Sequence, residues 1–127
     1  WEMFKLGWIQ LCWPTPITVG ATVGVLAQVL GGHILNACRI VYAVDEEVAT
    51  GARFGFAYGT LPGHVERGEE RFLVEWRRQD DTVWYDILAF SQPKHWLVRL
   101  GYPVTRSFQK RFAQCSKIAM HKAIPSK

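Results

Sequence analysis

Between Thr18 and Leu30 the chain alternates. Val19, Ala21, Val23, Val25, Ala27 and Val29 hold one parity, and Thr18, Gly20, Thr22, Gly24, Leu26, Gln28 and Leu30 hold the other. Period-two alternation of β-branched with small or polar residues predicts a long strand, and its glycines predict a bend or bulge. Four further strand patterns follow, spaced as in an antiparallel meander. Cys38–Val44 sets Cys38, Ile40, Tyr42 and Val44 on one face, and Asp45-Glu46-Glu47 then reads as a charged loop. Arg53–Thr60 sets Phe54, Phe56 and Tyr58 opposite Gly55, Ala57 and Gly59. Leu61–Gly68 reads as a Pro-Gly loop. Glu70–Arg78 sets Phe72, Val74 and Trp76 opposite Leu73, Glu75 and Arg77; Gln79-Asp80-Asp81 is a hairpin turn, and Thr82–Phe90 alternates again.

After Pro93 the period changes. From Trp96 onwards, Leu97, Leu100, Val104, Phe108, Phe112, Cys115 and Ala119 fall three or four residues apart, which predicts a helix with one apolar stripe, kinked early by Gly101 and Pro103. The expected architecture is α+β: a curved antiparallel sheet of about five to seven strands packed on a long C-terminal helix, which buries the apolar faces of both.

Charge sharpens this picture. The 127 residues carry 15 Lys+Arg and 11 Asp+Glu, but positions 6–38 are uncharged and positions 94–127 hold eight basic and no acidic residues. An uncharged stretch of that length suits a membrane span, yet Pro14, Pro16, Gly20, Gly24 and Gly31-Gly32 interrupt it, and the alternation favours sheet. The basic helix face, with Arg106, Lys110 and Lys117, suits an anionic membrane surface or a larger protein assembly. Phe108 and Phe112 lie on the apolar stripe, so they pack inward rather than stack on bases, and nucleic acid is the least favoured partner. A size suited to one domain, and a hydrophobic fraction of 49%, describe a single globular domain spanning 1–127. Cys12, Cys38 and Cys115 are odd in number and far apart, so they read as small buried hydrophobes in a reducing compartment.

Candidate chemistry is sparse. His64, Glu66, Glu69 and Glu70 could bind a metal or exchange protons, but they follow no ligand spacing and read as a solvated loop. Gly51, Gly55, Gly59 and Gly63 lie along a strand and its loop, not between a strand and a helix, so they form no phosphate cradle. Asp86, among aromatic and aliphatic strand residues, could act as an acid or could turn outward into a salt bridge. No metal or cofactor is implied.

The strings Asn36-Ala-Cys-Arg-Ile-Val-Tyr42, Arg53-Phe-Gly-Phe-Ala-Tyr-Gly-Thr-Leu-Pro-Gly-His64, Glu66-Arg-Gly-Glu-Glu-Arg-Phe72, Val83-Trp-Tyr-Asp-Ile87 and Ala89-Phe-Ser-Gln-Pro93 resemble an uncharacterised family. It is catalogued as domain of unknown function nineteen-ninety and occurs in bacteria and plant plastids. Its members carry residues, including a helical segment, before the position of Trp1. The resemblance implies a cytoplasmic bacterial, plastid or plastid-membrane-associated protein. It also implies kinship with the helix-grip folds of START-like and pollen-allergen-like domains, where a sheet grips a helix around an apolar cavity. The family supplies no reaction and no catalytic residue. The leading expectation is therefore non-enzymatic binding of a small apolar molecule or lipid. Phe56, Tyr58, Trp76, Trp84 and Tyr85 would line the cavity, and His64 and Asp86 would orient the ligand. Two alternatives stand beside it. One is a membrane-peripheral or complex subunit that exposes Trp1, Trp8 and Trp13. The other is a cyclase- or hydrolase-like enzyme, which needs Asp86, His64 or Glu75 to converge in one cavity.

Overall fold

A computed structural model describes residues 1–64, 66–93 and 102–125. A 3-10 turn, Glu2–Phe4, leads into six strands: β1 (Ile9–Leu11), β2 (Thr22–Val29), β3 (Gly32–Val48), β4 (Gly51–Thr60), β5 (Glu66–Arg77) and β6 (Thr82–Pro93). One helix, α1 (Tyr102–Lys122), follows. The strands pair antiparallel in the order of the chain, so the sheet is the expected meander closed by the expected C-terminal helix.

The inner face of the sheet carries the core. Val23, Val25 and Ala27 of β2, Cys38 and Ile40 of β3, Phe56 and Tyr58 of β4 and Phe72 of β5 are all buried. Phe72 sits at the centre, with ring centroids 5.3 Å from Phe56, 5.5 Å from Tyr58 and 5.5 Å from Phe4, and its edge meets Phe112 of α1 at 6.1 Å. The N-terminal segment belongs to this core. Phe4 packs between Phe72 and Phe112, and Trp1 lies 4.8 Å from Phe56 and donates its indole N–H to the Thr15 carbonyl at 2.7 Å.

Several expectations need correction. The strand expected from Thr18 begins only at Thr22, and its end is a turn in which Leu30 takes a left-handed backbone, φ 49°. β3 follows at once, with His33 opposite Gln28. Asp45-Glu46-Glu47 is not a loop: ladder pairing with Arg53, Phe54 and Ala52 carries β3 on to Val48. The register of β3 shifts between Ile40 and Tyr42. This bulge at Val41 reverses the parity, so Tyr42 and Val44 face outward with Ala57 and Gly55 while Ile40 stays inside. The end of the expected loop Leu61–Gly68 is also strand, because β5 starts at Glu66. Trp1 and Trp8 are half-buried, not exposed; Trp13 is exposed and lies over Gly24, where any Cβ would meet its ring at 2.5 Å. Cys12 is exposed, Cys38 is buried, and all three cysteines are free.

The part of the expected helix that includes Trp96, Leu97, Leu100 and Gly101 lies outside the described residues. Within α1 the inward stripe runs through Phe108, Phe112, Cys115 and Ala119 as expected, whereas Val104 is 52% exposed. The most deeply buried position is polar. Ser116 is fully buried, and its hydroxyl pairs with the Tyr85 hydroxyl of β6 at 2.8 Å. That bond fixes the C-terminal half of α1 on the sheet. Ser116→Ala leaves the Tyr85 hydroxyl unpaired and is expected to cost about 1–2 kcal/mol by urea denaturation, and Tyr85→Phe added to it should recover part of the loss. Equal stabilities of wild type and Ser116→Ala would remove this bond from the account. Arg106, Lys110 and Lys117 stand exposed on the outer face of α1.

Candidate functional site

Between the sheet and the N-terminal half of α1 lies a cavity of about 590 Å³. Ile9, Val25, Ala27, Val29 and Ile34 form one wall and Phe108 and Phe112 of α1 form another. Phe4 and Cys38 also face it. The third wall, on β4 and β5, is polar: Tyr58, Thr60, Glu66, Gly68, Glu69 and Glu70.

The polar wall follows from local sequence. Leu61-Pro62-Gly63-His64 closes a β-turn in which the His64 N–H donates to the Leu61 carbonyl at 3.2 Å. Pro62 suits the second position, and Gly63 takes the third at φ +95°, a conformation that costs glycine little. The turn sets His64 at the cavity, where its Nδ1 accepts the Glu66 backbone N–H at 3.0 Å. From Glu66 onward the β5 alternation carries Glu66, Gly68, Glu70 and Phe72 on one face, so the same parity that buries Phe72 turns two carboxylates inward.

Glu66 is 8% exposed. Its Oε2 accepts the Gln109 amide of α1 at 3.0 Å, and the same amide donates to Ser91 Oγ at 2.9 Å. Gln109 Oε1 in turn accepts from Arg106 at 3.1 Å. Glu66 Oε1 is buried with no hydrogen-bond partner among the described residues. Glu70 accepts the Tyr58 hydroxyl at 2.8 Å. Burial pushes its carboxyl up to about 7; the Tyr58 bond opposes this and the Glu66 charge adds to it. Tyr58 is raised well above the usual phenol value by burial, then by Glu70. Burial and the nearby Glu70 push the Cys38 thiol up to about 12, so it stays a neutral thiol. Among the described residues, two other cavity residues carry buried polar atoms without partners, at Asn36 Oδ1 and Trp8 Nε1.

Of the seven residues expected at a ligand, Tyr58 and His64 line this cavity. The other five lie elsewhere. Phe56 is buried against Trp1 and Phe72. Tyr85 is turned to Ser116. Trp76 borders a second, smaller pocket of about 430 Å³ beside Gly51 and Arg77, and Trp84 is exposed beneath the Arg77 guanidinium at 4.7 Å. Asp86 is exposed and pairs with Arg71 at 2.8 Å. Glu75 pairs with Arg53 and Arg77 at 3.0 and 2.8 Å. Asp86 and Glu75 therefore lie on the outer face of the sheet while His64 faces the cavity, and the convergence that a hydrolase- or cyclase-like reaction required of them does not occur. The cavity residues absent from the expected ligand contacts include Glu66, Glu70 and Gln109. Parity counted backward from Phe72 reaches Glu70 and Glu66 and would have turned both inward; Gln109 follows Phe108 and carries no comparable signal. Among the described residues, no group of three or more His, Cys, Asp or Glu is placed to hold a metal ion.

These observations define an α+β domain with an apolar cavity, walled on one side by carboxylates, between a curved sheet and its helix. The chain belongs to the family described as domain of unknown function DUF1990, whose model matches residues 1–118. It is similar to a UPF0548 protein of Dictyostelium discoideum, 46% identical over 134 residues that cover 99% of this chain and 62% of that protein. It is also similar to UPF0548 protein At2g17695 of Arabidopsis thaliana, 35% identical, covering 98% of this chain and 61% of the relative. A third similar protein is a UPF0548 protein of Deinococcus radiodurans, 39% identical, covering 79% and 52%. The chain thus spans about six-tenths of the length of the first two relatives and about half of the third. No solved structure matches. Among the described residues, no helix is long and apolar enough to cross a membrane.

Proposed function

We propose that this domain binds a small apolar molecule or lipid in the sheet–helix cavity. The observation that carries the reading is the cavity itself: about 590 Å³, walled largely by aliphatic and aromatic side chains, with a few polar groups gathered on one side. Pockets for small molecules run from about 300 to 1,000 Å³ and share that division of labour. A helix closing a curved sheet over an apolar hollow is also the arrangement implied by the resemblance to START-like domains.

Nile red, a neutral apolar dye, provides the test. It is expected to bind with a blue-shifted emission. Ala27 faces the cavity and is 6% exposed, so Ala27→Trp fills the space and should weaken dye binding by about tenfold or more. Val29→Trp, at the more open end of the same strand, repeats the test if Ala27→Trp lowers stability. Absence of dye binding to the wild type, or binding untouched by both substitutions, would overturn the reading.

A further inference from the structure

An apolar pocket needs no buried charge, and this one holds a poorly satisfied charge. Glu66 is nine-tenths buried, lines the cavity, and has one oxygen bonded to Gln109 and the other without a hydrogen-bond partner among the described residues. A buried carboxylate oxygen without a donor is costly, and folded proteins rarely keep one without a use for it. Glu70 stands two positions further along the same face, with Tyr58 as its hydrogen-bond donor. Among the described residues, the ion pairs involve Glu2, Glu47, Glu75 and Asp86, and none involves Glu66, Glu69 or Glu70. The guanidinium of Arg106 is held on the carbonyl side of Gln109. Asn36 also lines the cavity, and its buried Oδ1 is a second acceptor without a partner among the described residues. At Glu66 and Asn36 the missing partner is a donor, and beside two carboxylates it is best a cationic one; Trp8, which also lines the cavity, has a buried indole N–H that lacks an acceptor instead.

We infer that the cavity's ligand is an amphiphile with a protonated amine head, seated with its ammonium on the wall formed by the Glu66 and Glu70 carboxyl groups and its apolar body among Val25, Ala27, Ile34 and Phe108. This rests on the cavity-binding function proposed above. An ammonium offers three donors on a compact charge, enough for the Glu66 carboxylate, once its side chain turns to present Oε1, with donors left for Glu70. A neutral alcohol of the same chain length supplies one donor and no charge, and a fatty carboxylate brings a like charge to the wall.

Decylamine, decanol and decanoate share one apolar body and differ in the head, so their displacement of Nile red separates head from body. At about pH 8 the amine is protonated. Decylamine is expected to displace the dye about ten- to a hundredfold better than decanol, with decanoate weakest. Glu66→Gln keeps the acceptor for Gln109 and removes the charge. It should erase the amine preference, leave decanol unchanged and raise the melting temperature of the ligand-free protein, the opposite of what a purely structural Glu66 would do. Should Glu66→Gln fail to fold, the amine-to-alcohol ratio of the wild type decides alone. Equal displacement by decylamine and decanol, or a preference that survives Glu66→Gln, overturns the amine head and leaves the apolar cavity standing. No displacement by any of the three, with no dye binding, overturns both.

Discussion

Phe72→Ala is expected to lower stability by about 3–5 kcal/mol, the range for emptying a buried aromatic site. Phe72 is 1% exposed and stacks or meets edges with Phe4, Phe56, Tyr58 and Phe112, so its ring joins the N-terminal turn, two strands and the helix. Little could collapse into the gap, because four of the groups around it are rigid rings anchored on three elements, the 3-10 turn, β4 and α1. Domains of this size have only about 5–15 kcal/mol to lose, so the substitution consumes a large share. The urea midpoint should fall by roughly 2 M. Phe72→Leu retains much of the volume and should lose less than half as much. Phe54→Ala provides the contrast: it lies on the neighbouring strand at 50% exposure and should cost about 1 kcal/mol or less. Equal losses at Phe72 and Phe54 would show that the aromatic cluster is not the centre of the core.

The same residue shows how far the sequence could be read. Phe56, Phe72, Phe112 and the β2 valines follow strict period-two or helical spacing, and burial obeyed that spacing, so sheet, helix and core were legible. What the pattern could not carry was phase. One inserted residue at Val41 reverses the faces of the rest of β3, and no side chain signals a bulge made of an ordinary valine. Charge misled at Asp45-Glu46-Glu47 and at Glu66–Glu70. A long edge-to-edge ladder holds acidic residues in strands when the partner strand offers its backbone, and composition alone suggests a loop. The site suffered most. Aromatic residues suggest cavity walls, but the rings of Phe56 and Tyr85 fill the core or support the helix, and those of Trp76 and Trp84 cover the distal hairpin. The cavity lies at the other end of the sheet, where small and aliphatic residues such as Ala27 and Val29 leave room. Absence of bulk is harder to see in a sequence than its presence. Short β1 and the 3-10 turn were invisible for a related reason: three residues are too few to show a period.

Stability is expected to fall as pH rises from about 4.5 to about 7, and Glu70 is the group responsible. In the unfolded chain its carboxyl ionises near 4.5, and in the folded protein it does so at about 7. Between those values the native state keeps a proton that the unfolded state releases, so raising the pH favours unfolding. The penalty is absent below the lower value, grows through the window and is fully present above the upper one. A displacement of that size corresponds to roughly 3 kcal/mol. The groups that face Glu70 do not complicate the window from the other strands: Tyr58 and Tyr85 are phenols raised further by burial, Cys38 is a thiol raised likewise, and all three stay neutral throughout. Glu66, on the same strand, adds its negative charge and deepens the penalty. Glu70→Gln keeps an oxygen to accept the Tyr58 hydroxyl and removes the titration. The variant should match the wild type near pH 4.5, exceed it by up to about 3 kcal/mol near pH 8, and show a flatter profile between. Urea denaturation of both proteins across this range provides the measurement; parallel profiles would mean that Glu70 ionises alike in the folded and unfolded states. A cation seated at Glu66 would stabilise the ionised Glu70 as well, so decylamine binding near pH 6.5 should release a proton to the buffer. Titration calorimetry in two buffers of different ionisation enthalpy detects that release, and Glu70→Gln should abolish it. The carboxylate that weakens the empty domain above pH 7 is then the one that a cationic ligand compensates.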